Sequence, residues 1–242
     1  NEEDYNNARR FRLKKGGQVY KIPGIGLDLD VFKPVSKEQR NICRERLGIQ
    51  GDEFFLVSIG ELNENKNHRV ALEAMAKLKQ RHPGSFNIRY GICGDGFFRE
   101  RLEQWIQEMG LGDSVTLYGH CAKVSEILGA ADATLFPSKR EGLGMAGLES
   151  LAMGIPVIAA DNRGTREYME HGKNGFVCRY DDVEGFVEGI ERIRNLSPEK
   201  KKKMKIHCQN SVEPFAKVYA NAVMRRIYLD VDRRVERRAH EK

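Results

Sequence analysis

The feature that most limits what this chain can fold into is an alternation. Short apolar runs, rich in branched and aromatic residues, recur along it: Phe54–Ser58, Asn87–Cys93, Val115–Tyr118, Ala133–Pro137, Ile155–Ala160 and Gly175–Cys178. These runs are apolar on both faces, the mark of parallel strands buried between two layers. The segments between them carry apolar residues at helical spacing. In 67–81, for example, Val70, Ala71, Ala74, Met75 and Leu78 fall on one face,. Alternation at this spacing predicts an α/β fold, a doubly wound parallel sheet of Rossmann-like type. Helices are expected at 37–47, 67–81, 97–109, 123–131, 145–153, 182–195 and 197–210, and from about Pro214 onward. A short helical turn should end at Met169, and Val19–Ile22 reads as one more strand. The almost wholly charged end, 230–242, is expected to fray.

In such a sheet ligands bind beyond the carboxyl ends of the strands. Glycines gather at those ends: Gly60, Gly94 and Gly96, Gly119, Gly142 and Gly144, and Gly164. The segment from Ser138 to Gly154 is the most telling. Gly142 and Gly144 stand where a helix should begin, and backbone amides at a helix start have no partner within the helix, so they favour anions. Glu141 and Glu149 bracket that turn. The pattern predicts a diphosphate on the glycine turn, with the two carboxylates holding hydroxyl groups of the same ligand. Lys66, between a strand and a helix on the same rim, is placed to put a point charge on a phosphate; a solvated lysine at a helix start is the competing reading. Arg140, Arg163 and Arg166 are further candidates, and His120 is a candidate for the edge of a nucleobase pocket.

Two other chemistries fit parts of this pattern. Gly142-Leu-Gly-Met-Ala-Gly147 spells the dinucleotide fingerprint, with Asp161 near the position of a ribose acid,. Yet that fingerprint follows its strand almost at once and opens its domain, whereas here Pro137–Glu141 intervenes and earlier strand–helix units precede it. Glu141 and Glu149 also resemble a glycosidase pair. Eight residues of continuous helix rise about 12 Å, beyond the roughly 5–9.5 Å that such pairs use.

Composition narrows the class without choosing the substrate. The chain has 242 residues, 40% of them hydrophobic, and a net charge of +6. That balance favours phosphates or an anionic surface in general. The five cysteines are odd in number and contain no C-x-x-C, so they point to neither a disulfide framework nor a zinc knuckle,. A reducing compartment is the reading, hence a cytoplasmic protein. No signal peptide and no run long enough to span a membrane is visible. The histidines are scattered, and no metal site is expected. Lys200–Lys203 reads as a solvated helical face, with peripheral contact to the inner face of a membrane as the alternative,. The chain begins without Met and reads as a fragment.

The order of these motifs resembles the C-terminal, donor-binding domain of group 1 (family 4) glycosyltransferases of the GT-B fold. The match runs through Ile22-Pro-Gly-Ile-Gly26, Gly60 to Lys66, Gly94-Asp-Gly96, Leu117-Tyr-Gly119, Phe136-Pro-Ser138, Glu141-Gly-Leu-Gly144 with Glu149, and Asn174-Gly-Phe176. Gly60 to Asn67 and Asp161 to Gly164 look most like the capsular or exopolysaccharide branch. The resemblance implies retaining, metal-independent transfer without a cofactor, from a nucleotide-diphosphate sugar, UDP-linked on family grounds, to a glycan or lipid-linked acceptor. By it Lys66 and Glu141 are catalytic. Glu149 binds the ribose, and Gly142, Leu143 and Gly144 hold the donor, with Gly26, Gly60, Arg163 and His120 lining the site. It further implies that residues 1–18 are the remnant of an acceptor-binding N-terminal domain and that 19–212 bind the donor. Residues 213–242 would then pack back on the missing domain, and the isolated chain would transfer little or nothing. Two departures stand out: Glu61 follows Gly60 where the family usually has arginine, and Arg163-Gly164 and Arg166-Glu167 replace Gly-Gly and Pro-Glu. A nucleotide-binding regulatory module and a UDP-sugar epimerase of related fold are the alternatives, and nucleic acid is not an expected partner.

Overall fold

The computed structural model describes residues 1–14 and 16–240. Its centre is a six-stranded sheet: β1 (Phe54–Ile59), β2 (Ile88–Cys93), β3 (Val115–Gly119), β4 (Ala133–Phe136), β5 (Val157–Ala160) and β6 (Gly175–Cys178). The order across the sheet is β3-β2-β1-β4-β5-β6 and every pairing is parallel. This is the doubly wound arrangement anticipated above, with the six anticipated strands. Connectivity reverses between β1 and β4, where Leu56 lies opposite Ala133 and Val57 opposite Thr134. Such a reversal opens a crevice beyond the strand ends, because successive crossovers leave on opposite sides of it.

Both faces of the sheet are covered, which is why its strands are apolar throughout. Phe54 and Leu56 join one buried cluster with Ile88, Tyr90 and the apolar face of α3 (His68–Arg81). Their neighbours Phe55 and Val57 point the other way, into a second cluster with Cys43 of α2 (Lys37–Arg46) and Ile127 and Leu128 of α5 (Val124–Ala130). The side-chain period of two along a strand produces this division. The remaining helices are α1 (Glu2–Ala8), α4 (Arg99–Glu108), α6 (Met145–Ala152), α7 (Val183–Arg194), α8 (Pro198–Val212) and α9 (Lys217–His240).

The helix starts divide into two sets. α2, α7 and α8 are capped by Ser36, Asp182 and Ser197, whose side chains accept from Gln39, Gly185 and Lys200 amides,. The four helices that begin at the carboxyl ends of β1 to β4 have no side-chain cap at all. A cap contributes about 1 kcal/mol, so its repeated absence along one rim leaves donors there for other partners.

Two local expectations change. Val19–Ile22 is not a strand, since both sheet edges, β3 and β6, lie elsewhere. That segment runs beside α9 instead, with the Tyr20 hydroxyl donating to Asp230 and Arg234 donating to the Gly16 carbonyl at 3.2 Å. Residues 2–8 form a helix that the polar, basic reading of the N-terminal stretch missed. Asn1 caps it, accepting from the Asp4 amide at 2.8 Å, and Glu2, Glu3 and Asp4 fill its first turn, where negative charge suits the helix dipole,. The charged end expected to fray continues α9 to His240. No described helix is long and apolar enough to cross a membrane.

Candidate functional site

The crevice at the β1/β4 reversal is built by the loop after β1 and the loop after β4. The first delivers Lys66, the second Glu141, and their side chains meet with Nζ 2.6 Å from Oε1. Both are largely enclosed, at 22% and 13% side-chain exposure. The ammonium also lies 5.7 Å from the centre of the Phe136 ring. Gly60 makes this approach possible: a Cβ there would stand 3.0 Å from Lys66 Cε. Asn67 binds the two loops together, donating to the Pro137 carbonyl at 3.2 Å and the Tyr180 carbonyl at 2.7 Å. Lys139 closes the frame through its amide, which donates to the Asn65 carbonyl at 2.8 Å.

Beyond Glu141 the chain turns through Gly142 and Leu143 into α6. Gly144 sits at φ +88°, ψ 70°, and a Cβ at that position would press within 2.8 Å of the Phe136 ring and 3.1 Å of the Tyr168 hydroxyl. Only glycine meets both demands. Tyr168, buried behind the turn, donates to the Gly144 carbonyl at 3.2 Å. Gly147, the last glycine of the apparent dinucleotide fingerprint, is absorbed by the same ring: a Cβ there would fall 2.3 Å from the tyrosine oxygen. The fingerprint spacing therefore reflects packing on Tyr168. Among the described residues, the amides of Gly142, Leu143, Gly144, Met145 and Ala146 donate to no protein group. The start of α6 is thus a run of unused donors with the positive end of the helix dipole behind it.

The neighbouring loop after β5 braces this turn. Asn162 donates to the Ser138 carbonyl at 2.9 Å and accepts from the Gly164 and Thr165 amides at 3.0 and 3.1 Å. A Cβ on Gly164 would lie 2.9 Å from Glu141 Cβ, so the two loops touch. Arg163 is carried there and donates through Nε to the Glu141 carbonyl at 3.3 Å. Its Nη1 pairs with Asp4 of α1. Glu149, one helical turn into α6, is half-buried, and its carboxylate has no hydrogen bond or ion pair among the described residues. Burial alone holds its carboxyl above the usual carboxylate range,.

Lys66, Glu141, Gly142, Leu143, Gly144, Gly60 and Arg163 therefore come together as the sequence predicts, with Glu149 on the adjoining helix. Two predicted residues make no hydrogen bond to the turn among the described residues. Gly26 lacks a side chain because α9 crosses it; a Cβ there would lie 2.9 Å from Lys217 Cα. Close packing against α9 accounts for that glycine, and its neighbour Gly24 packs on Leu143 in the same manner. His120 follows β3, two strands from β1 and so about 10 Å across the sheet. It is exposed and makes no hydrogen bond among the described residues.

Sequence reasoning overlooked Tyr168, Asn162 and α1. The signal for α1 was present: Asn1 followed by three acids is a helix start. It also passed over His68, which is buried with both ring nitrogens unpartnered. Burial, and then the Lys66 charge, pull its pKa down to about 4. Among the described residues no group of three His, Cys, Asp or Glu side chains is placed to hold a metal ion.

Comparison with known proteins gives a consistent result. A family model described as glycosyl transferases group 1 matches residues 39–210. Among curated proteins, a putative glycosyltransferase of Bacillus subtilis, EpsD, is 35% identical over 240 residues, covering 96% of this chain and 60% of that protein. The lipopolysaccharide core biosynthesis glycosyltransferase LpsE of Rhizobium meliloti is 31% identical over 152 residues, covering 63% of this chain and 43% of that protein. The match thus covers 60% and 43% of these relatives' own length. Anabaena HepE, crystallised with UDP and glucose, superposes with a TM-score of 0.76 at 24% identity over 85% of this chain and 55% of that one. Sucrose-phosphate synthase from Thermosynechococcus elongatus superposes at 0.77, with 25% identity over 95% of this chain and 56% of that one. These likenesses make the sheet the C-terminal half of a GT-B architecture.

Proposed function

Since the chain belongs to the group 1 glycosyl transferases, we propose that it is the donor-binding half of a retaining enzyme that moves a sugar from a UDP-linked donor to a glycan or lipid-linked acceptor. The observation that carries this is the unused run of amides from Gly142 to Ala146, set between Lys66 and Arg163. A diphosphate there gains charge-assisted hydrogen bonds, each contributing about 1.5–3 kcal/mol. Its charge grows as the bond to the sugar breaks, so donors already aimed at it favour departure. Lys66 turns from Glu141 toward the leaving phosphate, and Arg163 supplies the cation that Glu61 does not. Glu141, relieved of the lysine, holds the donor sugar.

Glu149 takes the ribose hydroxyls. A half-buried carboxylate with no partner of its own and a raised pKa is suited to a ligand that brings hydroxyl donors to it. His120, about 10 Å along the rim, edges the base. The choice of UDP leans on HepE, which was crystallised with UDP and glucose.

Acceptor recognition falls to chain that the relatives have beyond the span matched here. The apolar side chains that α9 leaves exposed, among them Val218, Tyr228 and Val235, support a reading in which α9 packs on such a domain. By this account the 242-residue chain binds donor and transfers little or nothing alone. Calorimetric titration of the chain with UDP, UDP-glucose, GDP-mannose and ADP-glucose tests the reading. Saturable binding of the uridine ligands is expected. Binding of none, or turnover onto a sugar acceptor by this chain alone, would contradict it.

A further inference from the structure

α1 lies across the donor loop, and its contacts with that loop and the neighbouring one are polar. The Asn1 side-chain amide donates to the Gly142 carbonyl at 2.6 Å. The Glu2 backbone amide donates to Glu167 Oε1 at 2.7 Å. The Glu2 carboxylate takes Lys21 at 2.6 Å, and that lysine also reaches Glu167 at 3.3 Å. Asp4 pairs with Arg163. No residue of α1 is fully buried, and only Tyr5 and Ala8 are half-buried, so little apolar surface holds it in place. Exposed ion pairs of this kind contribute between nothing and about 1 kcal/mol each.

The partner of Asp4 is the feature that gives α1 a role. Arg163 is the arginine already fixed against the donor turn by the Glu141 carbonyl. The Asp4 carboxylate on that guanidinium has the charge and the oxygen geometry of one phosphate edge. Of the guanidinium's forked edges, the one through Nε is already given to the Glu141 carbonyl, which leaves the Nη1–Nη2 edge for an anion, and Asp4 sits on Nη1,. A nucleoside diphosphate carries at least twice the charge of one exposed carboxylate and also gains the amides of the α6 start. It therefore outcompetes Asp4 for Arg163.

We propose that α1 is a displaceable strap over the donor loop, in which Asp4 holds Arg163 until a nucleoside diphosphate takes the guanidinium over and loosens the helix. This rests on the donor-site reading above. It makes Asp4 a positioning residue that acts through Arg163. It also links the arrival of donor to the release of residues 1–9, a segment otherwise fastened to the rim.

The test uses the 242-residue chain, its Asp4→Asn variant and, as a control of equal charge change, Glu3→Gln, since Glu3 has no ion pair among the described residues. UDP is the probe. Affinity is read by calorimetry, and the freedom of α1 by hydrogen exchange of residues 2–8. UDP should speed exchange in α1 of the unaltered chain. D4N should speed it without UDP and tighten UDP binding up to about fivefold, the equivalent of about 1 kcal/mol. E3Q should change affinity less than twofold. Slower exchange in α1 with UDP, unchanged or weaker UDP binding by D4N, or an equal gain from E3Q would overturn the strap while leaving the donor site standing. UDP binding by neither the unaltered chain nor D4N would overturn the donor site, and the strap with it.

Discussion

Replacing Glu149 by glutamine separates stability from binding in a way that few substitutions allow. The Glu149 carboxyl is held above its ordinary range by burial, and no group among the described residues offsets that cost. For a carboxyl raised on folding, the native state binds more protons than the unfolded state between the two pKa values. Its contribution to stability is therefore fully present below the ordinary glutamate range and is lost as pH rises through the raised native pKa. Glutamine has nearly the same shape and no charge, so it abolishes that loss. Glu149→Gln should raise the melting temperature at pH 7 and leave it unchanged at pH 4, measured by calorimetry at both. Binding should move the other way. A hydrogen bond from a ribose hydroxyl to a carboxylate contributes about 1.5–3 kcal/mol against roughly 1 for a neutral acceptor. The amide keeps one acceptor, so the loss is about 0.5 to 2 kcal/mol, or about 2- to 30-fold in the dissociation constant for UDP. A variant that is less stable at pH 7, or that binds UDP as well as the parent, would show that Glu149 is an ordinary helix residue.

Three further substitutions probe the frame of the site. Lys66→Ala strands the Glu141 carboxylate at 13% exposure; the loss should lie between the exposed and buried limits for ion pairs, about 1–3 kcal/mol by urea denaturation, with UDP-glucose binding much weakened. Gly144→Ala forces a left-handed residue and a Cβ into the Phe136 ring, so about 2–4 kcal/mol of stability should go; a neutral result would mean that the turn relaxes freely. His68→Leu removes a histidine whose pKa is depressed to about 4. A depressed histidine stabilises above its unfolded pKa, near 6.5, and that contribution is lost as pH falls toward 4. The parent should lose up to about 3 kcal/mol over that window relative to H68L, and parallel pH–stability curves would refute the assignment.

The sequence carried the sheet, the rim and the glycine turn because each rests on local pattern: a strand buried on both faces is apolar throughout, and a left-handed helix start favours glycine, at Gly144 all the more because the Phe136 ring crowds it,. It carried Glu149 for the same reason, since that acid sits among apolar neighbours at helical spacing. What it did not carry were choices of partner across long separations. Lys66 and Glu141 are 75 residues apart, and Asp4 and Arg163 are 159 apart. No periodicity marks which cation will meet which acid. The same limit explains Val19–Ile22, whose composition suits a strand but whose fate depends on whether a sheet edge is free beside it. Gly26 shows the converse: one missing side chain serves a ligand or a crossing helix equally well, and only the position of α9 decides.

The adjacency of β1 and β4 also governs how the crevice comes into being. β1 to β3 can assemble from near neighbours, but β4 must enter beside β1 after two intervening strands. The Ser58 hydroxyl then donates to the Leu135 carbonyl at 2.6 Å, and the Phe55 amide to Asp132 at 2.9 Å, each across 77 residues. Closing so long a loop is slow relative to local pairing. The crevice, which does not exist until that closure, should thus be a late product of folding, and its appearance during refolding should report the joining of the two halves of the sheet.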